Sequence, residues 1–426
     1  MLRITAIPAG AVEYLIRGCG CQHDAPAAEL DRGPDLTAGH TAERAAGREK
    51  GAAAYFAAAV EQGDPRGYWF GTGMEAMGLP FASGEVADPD DVRAVFGQLR
   101  RPESTEKDPD FLGRRPPKYK DEEQRFEALK AQEKGPVSPE REQQLRQQAA
   151  ATDTRKGVAY YDFTFSAPKS VSVYWAALLA AGATEQAAAV AAAHDKAVEI
   201  AIAYADKHIV STRTGWHGAR VSGNESVGRF EAGRGSVWTL WRHSTSRANE
   251  PQLHTHGGML NRTTTADGQV RALDGAAFRA YKEAIDTAYV RALEQLVSEA
   301  TGARFALRPD GVAREIVGVD PQLCAEASTR RGQVQERVAE LVAGYVERHG
   351  REPGGLARKA MADMATLQTR AAKTAESGPA AVTAWGAARL ERMLEVVDEV
   401  AAAGYDMAEL AALVDQEPGR AVTVDG

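Results

Sequence analysis

Residues 158–166, VAYYDFTFS, alternate strictly. Tyr161, Phe163 and Phe165 fall on one face and Tyr160, Asp162, Thr164 and Ser166 on the other, which is the period of a strand. The aromatic face is expected to meet the core. Pro168 ends the strand and suits the first turn of a following helix. Two helices are predicted next, about Lys169 to Ala181 and Thr184 to Lys207, broken at Gly182. Strand-like pieces then follow one another through Gly-rich turns: HIVSTRTG, GARVSG, GRFEAG and SVWTLWRH over 208–243, and LHTHGGML over 253–260. The chain reads as helix from Asp274 to about Ala300, as short strands in ARFALRPDGVAREIVGV, and as charged helix from Gln333 onward. Upstream, Leu2, Ile4 and Ile7 mark a short strand, Ala52 to Gly63 a helix with a glycine stop, and Gly67 to Pro80 a turn with a short helix.

A strand, a helix pair, a run of strands and another helix favour an α+β fold, with an antiparallel central sheet and helices on one face. Residues 101–156 are dense in charge and proline and are expected to be a solvated excursion. The 426 residues allow two or three domains, and 44% hydrophobic content supports a real core. The net charge of −8 argues against a uniformly basic nucleic-acid binder, although local patches decide binding. Three cysteines, Cys19, Cys21 and Cys324, cannot make a disulfide framework and point to a reducing compartment. No apolar run reaches membrane-spanning length, and no signal peptide is visible, so a cytoplasmic protein is expected.

Three of the nine histidines lie within fourteen residues: His243, His254 and His256. On a strand, His254 and His256 leave the same face. His243 ends the preceding strand, and an antiparallel return would bring it beside them. Three imidazoles on adjacent strands suit a divalent metal with open positions. The same residues read as scattered polar groups on an exposed face are the alternative. A metal there could generate hydroxide, which usually comes with a carboxylate as in HExxH helices, a motif absent here, or act as a Lewis acid on a phosphodiester, which needs a side-chain nucleophile and an orienting carboxylate.

The stretches YYDFTFSAPKSVSVYWA (160–176), WRHSTSRANEPQLHTHGGMLNRT (241–263) and GQVRALDGAAFRAYKEAIDTAYVRALEQLV (268–297) resemble the signature blocks of the TrwC-type (MobF) conjugative relaxases. The resemblance covers roughly residues 1–335, and GREPGGLARKAMADMATLQTRAAK resembles the segment after the relaxase core in actinobacterial members. It implies an HUH-type palm over 1–335, with the charged insertion at about 101–156, and a mostly helical extension over 336–426. It implies a site- and strand-specific nicking enzyme that opens an origin of transfer through a 5′-phosphotyrosine intermediate. His243, His254 and His256 match the metal triad, and Asp162 matches the acidic residue beside it, which would orient a histidine or accept the tyrosine proton. Tyr14 matches the first nucleophile and Tyr55 the second. This chain departs from the family in lacking doubled tyrosines, since Tyr14 stands alone and Tyr55 precedes Phe56.

The implied cofactor is Mg²⁺ or Mn²⁺, with Zn²⁺ or Ni²⁺ as other metals a histidine triad accepts. The implied partners are single-stranded DNA, a type IV secretion coupling protein and a DNA-bending accessory protein. The chain is expected to be a monomer that travels with the DNA into the recipient cell. No GxxxxGK[ST] loop occurs, so no helicase motor of that kind is present. Lys169 and Ser170 at a helix start, and Arg242, Arg247 and Arg262 around the triad, are the DNA-contact candidates. Gly257 and Gly258 are candidate points of close DNA approach, or strand bulges. Three other readings are a rolling-circle initiator using Tyr281 or Tyr289, a metal hydrolase without a covalent adduct, and a binding module with a structural metal.

Overall fold

The computed structural model describes residues 2–8, 11–12, 63–105, 107–115, 122–133, 135, 137–151, 157–215, 228–246, 248–311, 313–369 and 378–405. Tyr14, Tyr55, Arg247, the GARVSG stretch and the helix expected over 52–63 lie outside these residues. The chain begins with β1 (Leu2–Pro8), β2 (Tyr68–Phe70), α1 (Gly73–Met77) and α2 (Pro89–Val92), which continues as a π-helical turn over Arg93–Gln98. Next come α3 (Glu122–Lys130), α4 (Pro139–Ala151), β3 (Val158–Ser166), α5 (Lys169–Ala180) and α6 (Thr184–Ile209). The strands β4 (Ser211–Thr214) and β5 (Arg229–Ala232) pair with each other. They are followed by β6 (Trp238–Thr245), β7 (Pro251–Leu260), the small pair β8 (Thr263–Thr264) and β9 (Val270–Arg271), and α7 (Ala276–Thr301). The pair β10 (Phe305–Leu307) and β11 (Arg314–Ile316) leads to α8 (Pro321–Glu326), α9 (Thr329–His349), α10 (Gly355–Gln368), α11 (Pro379–Ala387) and α12 (Leu390–Ala403).

The central sheet has the order β1-β3-β7-β6-β2, and every pairing is antiparallel. The strand carrying the HxH pair is therefore the middle one. On one face, Phe163, Phe165, Trp238, Leu240 and Met259 pack into the main core beneath α5, α6 and α7, as the alternation at 158–166 predicts. The opposite face is covered at one end. There Tyr160 and Trp241 join Ile7, Val12, Trp69 and Phe96 in a second apolar cluster, with the Phe96 and Tyr160 rings edge to face at 5.7 Å. Gly67 permits this closure: a Cβ there would lie 2.4 Å from the Trp241 ring. The triad sits toward the other end of the same face.

Two regions carry structure that the sequence pattern does not reveal. Residues 101–156 are not simply a solvated loop. Leu112 enters the second cluster, and α3 and α4 fold together around Phe126, Leu145 and Ala149. So few apolar positions in a charge-dense stretch give almost no periodic signal, yet they suffice for a helix pair. The tail also does not separate from the relaxase-like part at 335. The helices α9 and α10 pack on each other, and α9 buries no residue completely. The chain then returns, and Val382, Met393, Val396 and Val400 complete the main core against α5. No helix among the described residues is long and apolar enough to cross a membrane.

Candidate functional site

Strand register brings the three histidines together. His243 on β6 is directly opposite His254 on β7, and His256 lies opposite Trp241 on one side and Thr164 on the other. Directly opposed residues share a face, so Thr164, Ser166, His254, His256 and His243 all project from the side away from α5–α7. The ring centroids are 5.3 Å (His243–His254), 5.6 Å (His243–His256) and 5.2 Å (His254–His256) apart. A metal about 2.1 Å from each ring nitrogen would sit about 3.2 Å from each centroid, which places centroids about 5.3 Å apart at the tetrahedral angle. Among the described residues no group of three or more His, Cys, Asp or Glu side chains stands, as placed, in an arrangement that could hold a metal ion. The paired strands supply the spacing of the rings.

The surroundings fix which nitrogen each ring can offer. His256 Nδ1 lies 2.9 and 3.0 Å from the two oxygens of Asp162, which also accepts from Thr164 Oγ1 at 3.2 Å. His254 Nδ1 lies 2.9 Å from the Gln252 carbonyl. His243 Nδ1 lies 3.8 Å from Asp64 Oδ2, and Ser244 Oγ donates to the other Asp64 oxygen. With Nδ1 of His254 and His256 at hydrogen-bond distance from a partner and Nδ1 of His243 turned toward Asp64, the three Nε2 atoms are the natural metal donors, in the carboxylate–histidine or carbonyl–histidine pattern of metal ligands. All three rings are largely buried. The neutral donor set leaves a bound dication its full charge, so the residues present fit a divalent ion.

The start of β7 is clamped by the first turns of α5. Lys169 Nζ donates to the Pro251 carbonyl at 2.9 Å and to Gln252 Oε1 at 2.6 Å. Ser172 Oγ accepts from the Leu253 N–H at 3.1 Å. This clamp holds the stretch where the β6–β7 register shifts, between His243 and Thr245, and such irregularities re-aim side chains. The turn beyond it uses Asn249 at φ +57°, a left-handed position that asparagine tolerates.

The expected DNA contacts have other partners in the structure. Burial lowers the Lys169 ammonium to about 8 against the opposing pull of Glu250, Cys324 and Glu315. Ser170 is buried; its Oγ accepts from the Ile316 N–H and its own N–H donates to Glu315. Arg242 lies on the helical face, opposite Thr255, and pairs with Asp195 at 2.5 Å. The strand's alternation turns it away from the face that carries His243. Arg262 is buried and donates to the carbonyls of Leu112, Asn261 and Arg114, and burial lowers its guanidinium to about 10. Gly257 also faces the helical side, where a Cβ would lie 3.3 Å from the Trp238 ring. Its missing side chain thus makes room for core packing rather than for DNA.

Of the rival nucleophiles, Tyr289 is fully buried and its phenol is pushed well above its usual range by burial. Tyr281 stacks on His208 with centroids 5.1 Å apart. Asp64 and Ser172 are positions that sequence reasoning missed. Both act across the fold, 180 and 81 residues from their partners, and neither belongs to a local spacing.

No curated protein matches the chain significantly. Among solved structures, the chain resembles the conjugative relaxase TrwC in complex with oriT DNA in a copper-bound form, with 22% identity, a TM-score of 0.55, and coverage of 92% of this chain and 98% of that one. TrwC complexed with a 27-mer DNA comprising the recognition hairpin and the cleavage site matches with 21% identity, a TM-score of 0.54 and the same coverage. A metal-bound TrwC–oriT complex matches with 22% identity and a TM-score of 0.52 over the same shares. These likenesses agree with the sheet and helix arrangement described above. The profile of the TrwC relaxase family matches residues 38–393, most of the length, and the chain therefore belongs to the TrwC relaxase family.

Proposed function

We propose that this relaxase nicks one DNA strand at an origin of transfer and keeps the broken end as a phosphotyrosine. The observation that carries the reading is the set of three histidines at 5.2–5.6 Å mutual spacing on two paired strands, with Asp162 on His256. The solved relatives were crystallised with oriT DNA, in copper-bound and metal-bound forms, which supports the same substrate class and a divalent ion here.

His243, His254 and His256 would hold the ion through Nε2. Bound there, it supplies positive charge to the non-bridging oxygens of the scissile phosphate. Asp162 accepts the Nδ1 proton of His256 and holds that ring in the tautomer that leaves Nε2 free. Both its oxygens are engaged with His256, so orientation of the ligand is the role its contacts support, ahead of proton transfer from tyrosine. Tyr14 is the nucleophile: its phenolic oxygen bonds to phosphorus, the bond to the 3′ oxygen breaks, and a free 3′-OH leaves. The phosphoester is conserved, so rejoining needs no ATP. Two described positions support this choice. The Ala11 carbonyl accepts from the Tyr160 hydroxyl at 3.0 Å, and Val12 packs in the cluster on the triad-bearing face of the sheet. Tyr14 follows two residues later, a reach of about 7 Å. Tyr55 is proposed for the second transfer, in a segment that re-enters the described structure at Gly63, next to Asp64 beside His243.

The test is a denaturing gel of the protein with end-labelled single-stranded oligonucleotides from its own element, plus Mg²⁺ or Mn²⁺. A labelled band that migrates with the protein, requires the metal and vanishes in Tyr14→Phe is the expected result. Cleavage without an adduct would instead mark a hydrolase.

A further inference from the structure

Behind the triad lies a buried polar chain that the chemistry above does not use. Thr255 sits between the ligands His254 and His256, so its side chain leaves the opposite face of β7 and enters the helical layer. There it lies in one row with Phe165 of β3 and Arg242 of β6. Its Oγ1 is 2.9 Å from Nε2 of His194, in the middle of α6. The other nitrogen of that ring, Nδ1, is 2.9 Å from the hydroxyl of Tyr289 on α7. The Tyr289 ring in turn packs on Phe165, with centroids 5.4 Å apart. His194 and Tyr289 have no exposed surface.

An imidazole in such a place is costly. Burial first, and the positive charge of Arg242 after it, take its pKa from 6.5 to about 3, so the ring is neutral. A neutral ring has one donor and one acceptor, and a hydroxyl at each end can serve either, so the chain is satisfied in both tautomers. Hydrophobic residues of similar size would fill the same space without directional demands. A fully satisfied polar chain fixes geometry in a way that apolar packing does not. Here it spans from two helices to the one residue whose backbone carries a ligand on either side.

We propose that Thr255, His194 and Tyr289 form a positioning device for the metal triad. By fixing the height and pleat of β7 at residue 255, the chain sets the directions in which His254 and His256 leave the strand. The Gln252 carbonyl on His254 and Asp162 on His256 then set ring rotation from the front, while His194 holds the strand from behind. Because its ring is neutral, His194 places no positive charge behind a strand that faces a cation. The proposal rests on the metal reading given above and extends it to the residues that orient the ligands.

Co²⁺ is the probe, read by its affinity, by its visible absorption band and by the melting temperature of the metal-free protein. Thr255→Val keeps the β-branched shape and removes only the hydroxyl. It is expected to weaken Co²⁺ binding by up to about tenfold, the low end of the effect of losing a group bonded to a ligand itself, because Thr255 acts through the strand, and to shift the absorption band while the metal-free protein still folds. His194→Leu should do the same, and His194→Gln, whose amide can still bond Thr255, should recover part of the affinity. Wild-type affinity and spectrum in Thr255→Val would overturn the proposal, even if His194→Leu fails to fold. If the wild-type protein itself binds no Co²⁺, the metal reading falls and this proposal with it. Binding by the wild type that all variants share removes the positioning role alone.

Discussion

The contact between Asp162 and His256 shows how a single side chain can orient an imidazole. Asp162→Asn keeps the size but presents an amide that can face either way. Metal affinity and single-turnover nicking are expected to drop about 10- to 100-fold with an unchanged circular dichroism spectrum. Arg262 makes the opposite case, a cation with purely structural partners. Arg262→Met leaves the carbonyls of Leu112, Asn261 and Arg114 without this donor. It should cost about 2–4 kcal/mol in chemical denaturation and leave the salt dependence of DNA binding unchanged, since no phosphate contact is lost. His194 makes stability depend on acid. Its folded pKa of about 3 lies below the usual 6.5. Between those values the unfolded chain binds the extra proton, so its contribution is complete above pH 6.5 and is lost as pH falls toward 3. Denaturation midpoints at pH 7 and pH 4.5 should therefore differ less in His194→Gln than in the wild type. At this scale the HxH pair was legible because a strand's period of two is local. Asp64 was not, because its partner Ser244 is 180 residues away. The partners of Arg242 and Arg262 were hidden for a related reason: proximity in sequence to the triad says nothing about which face of the sheet a side chain takes.

Among the elements, β3, β6 and β7 could be read directly, and α5 and α6 fall within two residues of their expected ends. Strong apolar patterns and a glycine break left little choice. The helix pair α3–α4 could not be read. Its apolar contacts come from Phe126, Leu145 and Ala149, partly covered by the Arg146 guanidinium, which lies 4.0 Å from the Phe126 ring centre. That small core is separate from the two larger ones. Replacing residues 122–151 with a short Gly/Ser linker should shift the melting temperature of the remainder by only a few degrees, as expected for regions that share no buried contacts. A collapse of the whole transition would show that the pair supports the sheet after all. The partners of the SAPKSVS stretch are hidden in the same way. A lysine and serines at a helix start look like an anion site, but here Lys169 and Ser172 bind the backbone at the beginning of β7.

The molecule as a whole closes only when its last described helices return. Val382, Met393, Val396 and Val400 are buried against α5. At about 1.5–3 kcal/mol for each buried aliphatic side chain, ending the chain at 369 would remove roughly 6–12 kcal/mol. That is comparable to the entire stability of a typical domain. Such a truncation is expected to be insoluble or to lose its cooperative thermal transition. The sequence pattern did not show this return, because amphipathicity in α12 reports that a face is buried without saying against what.

The order of the central sheet also bears on how the protein is made. The two outer strands come from the N-terminal segments, residues 2–8 and 68–70, while the three inner strands come from residues 158–260. A ribosome therefore releases the borders of the sheet well before there is an interior for them to flank. The β6–β7 hairpin, joined by a short turn, is the most local part and can pair first. Until the early segments dock, the nascent chain carries unpaired strand edges on both sides of its ligand-bearing centre, and such edges invite association with other chains. Synthesis, more than the finished fold, is where this architecture is most exposed to misassembly.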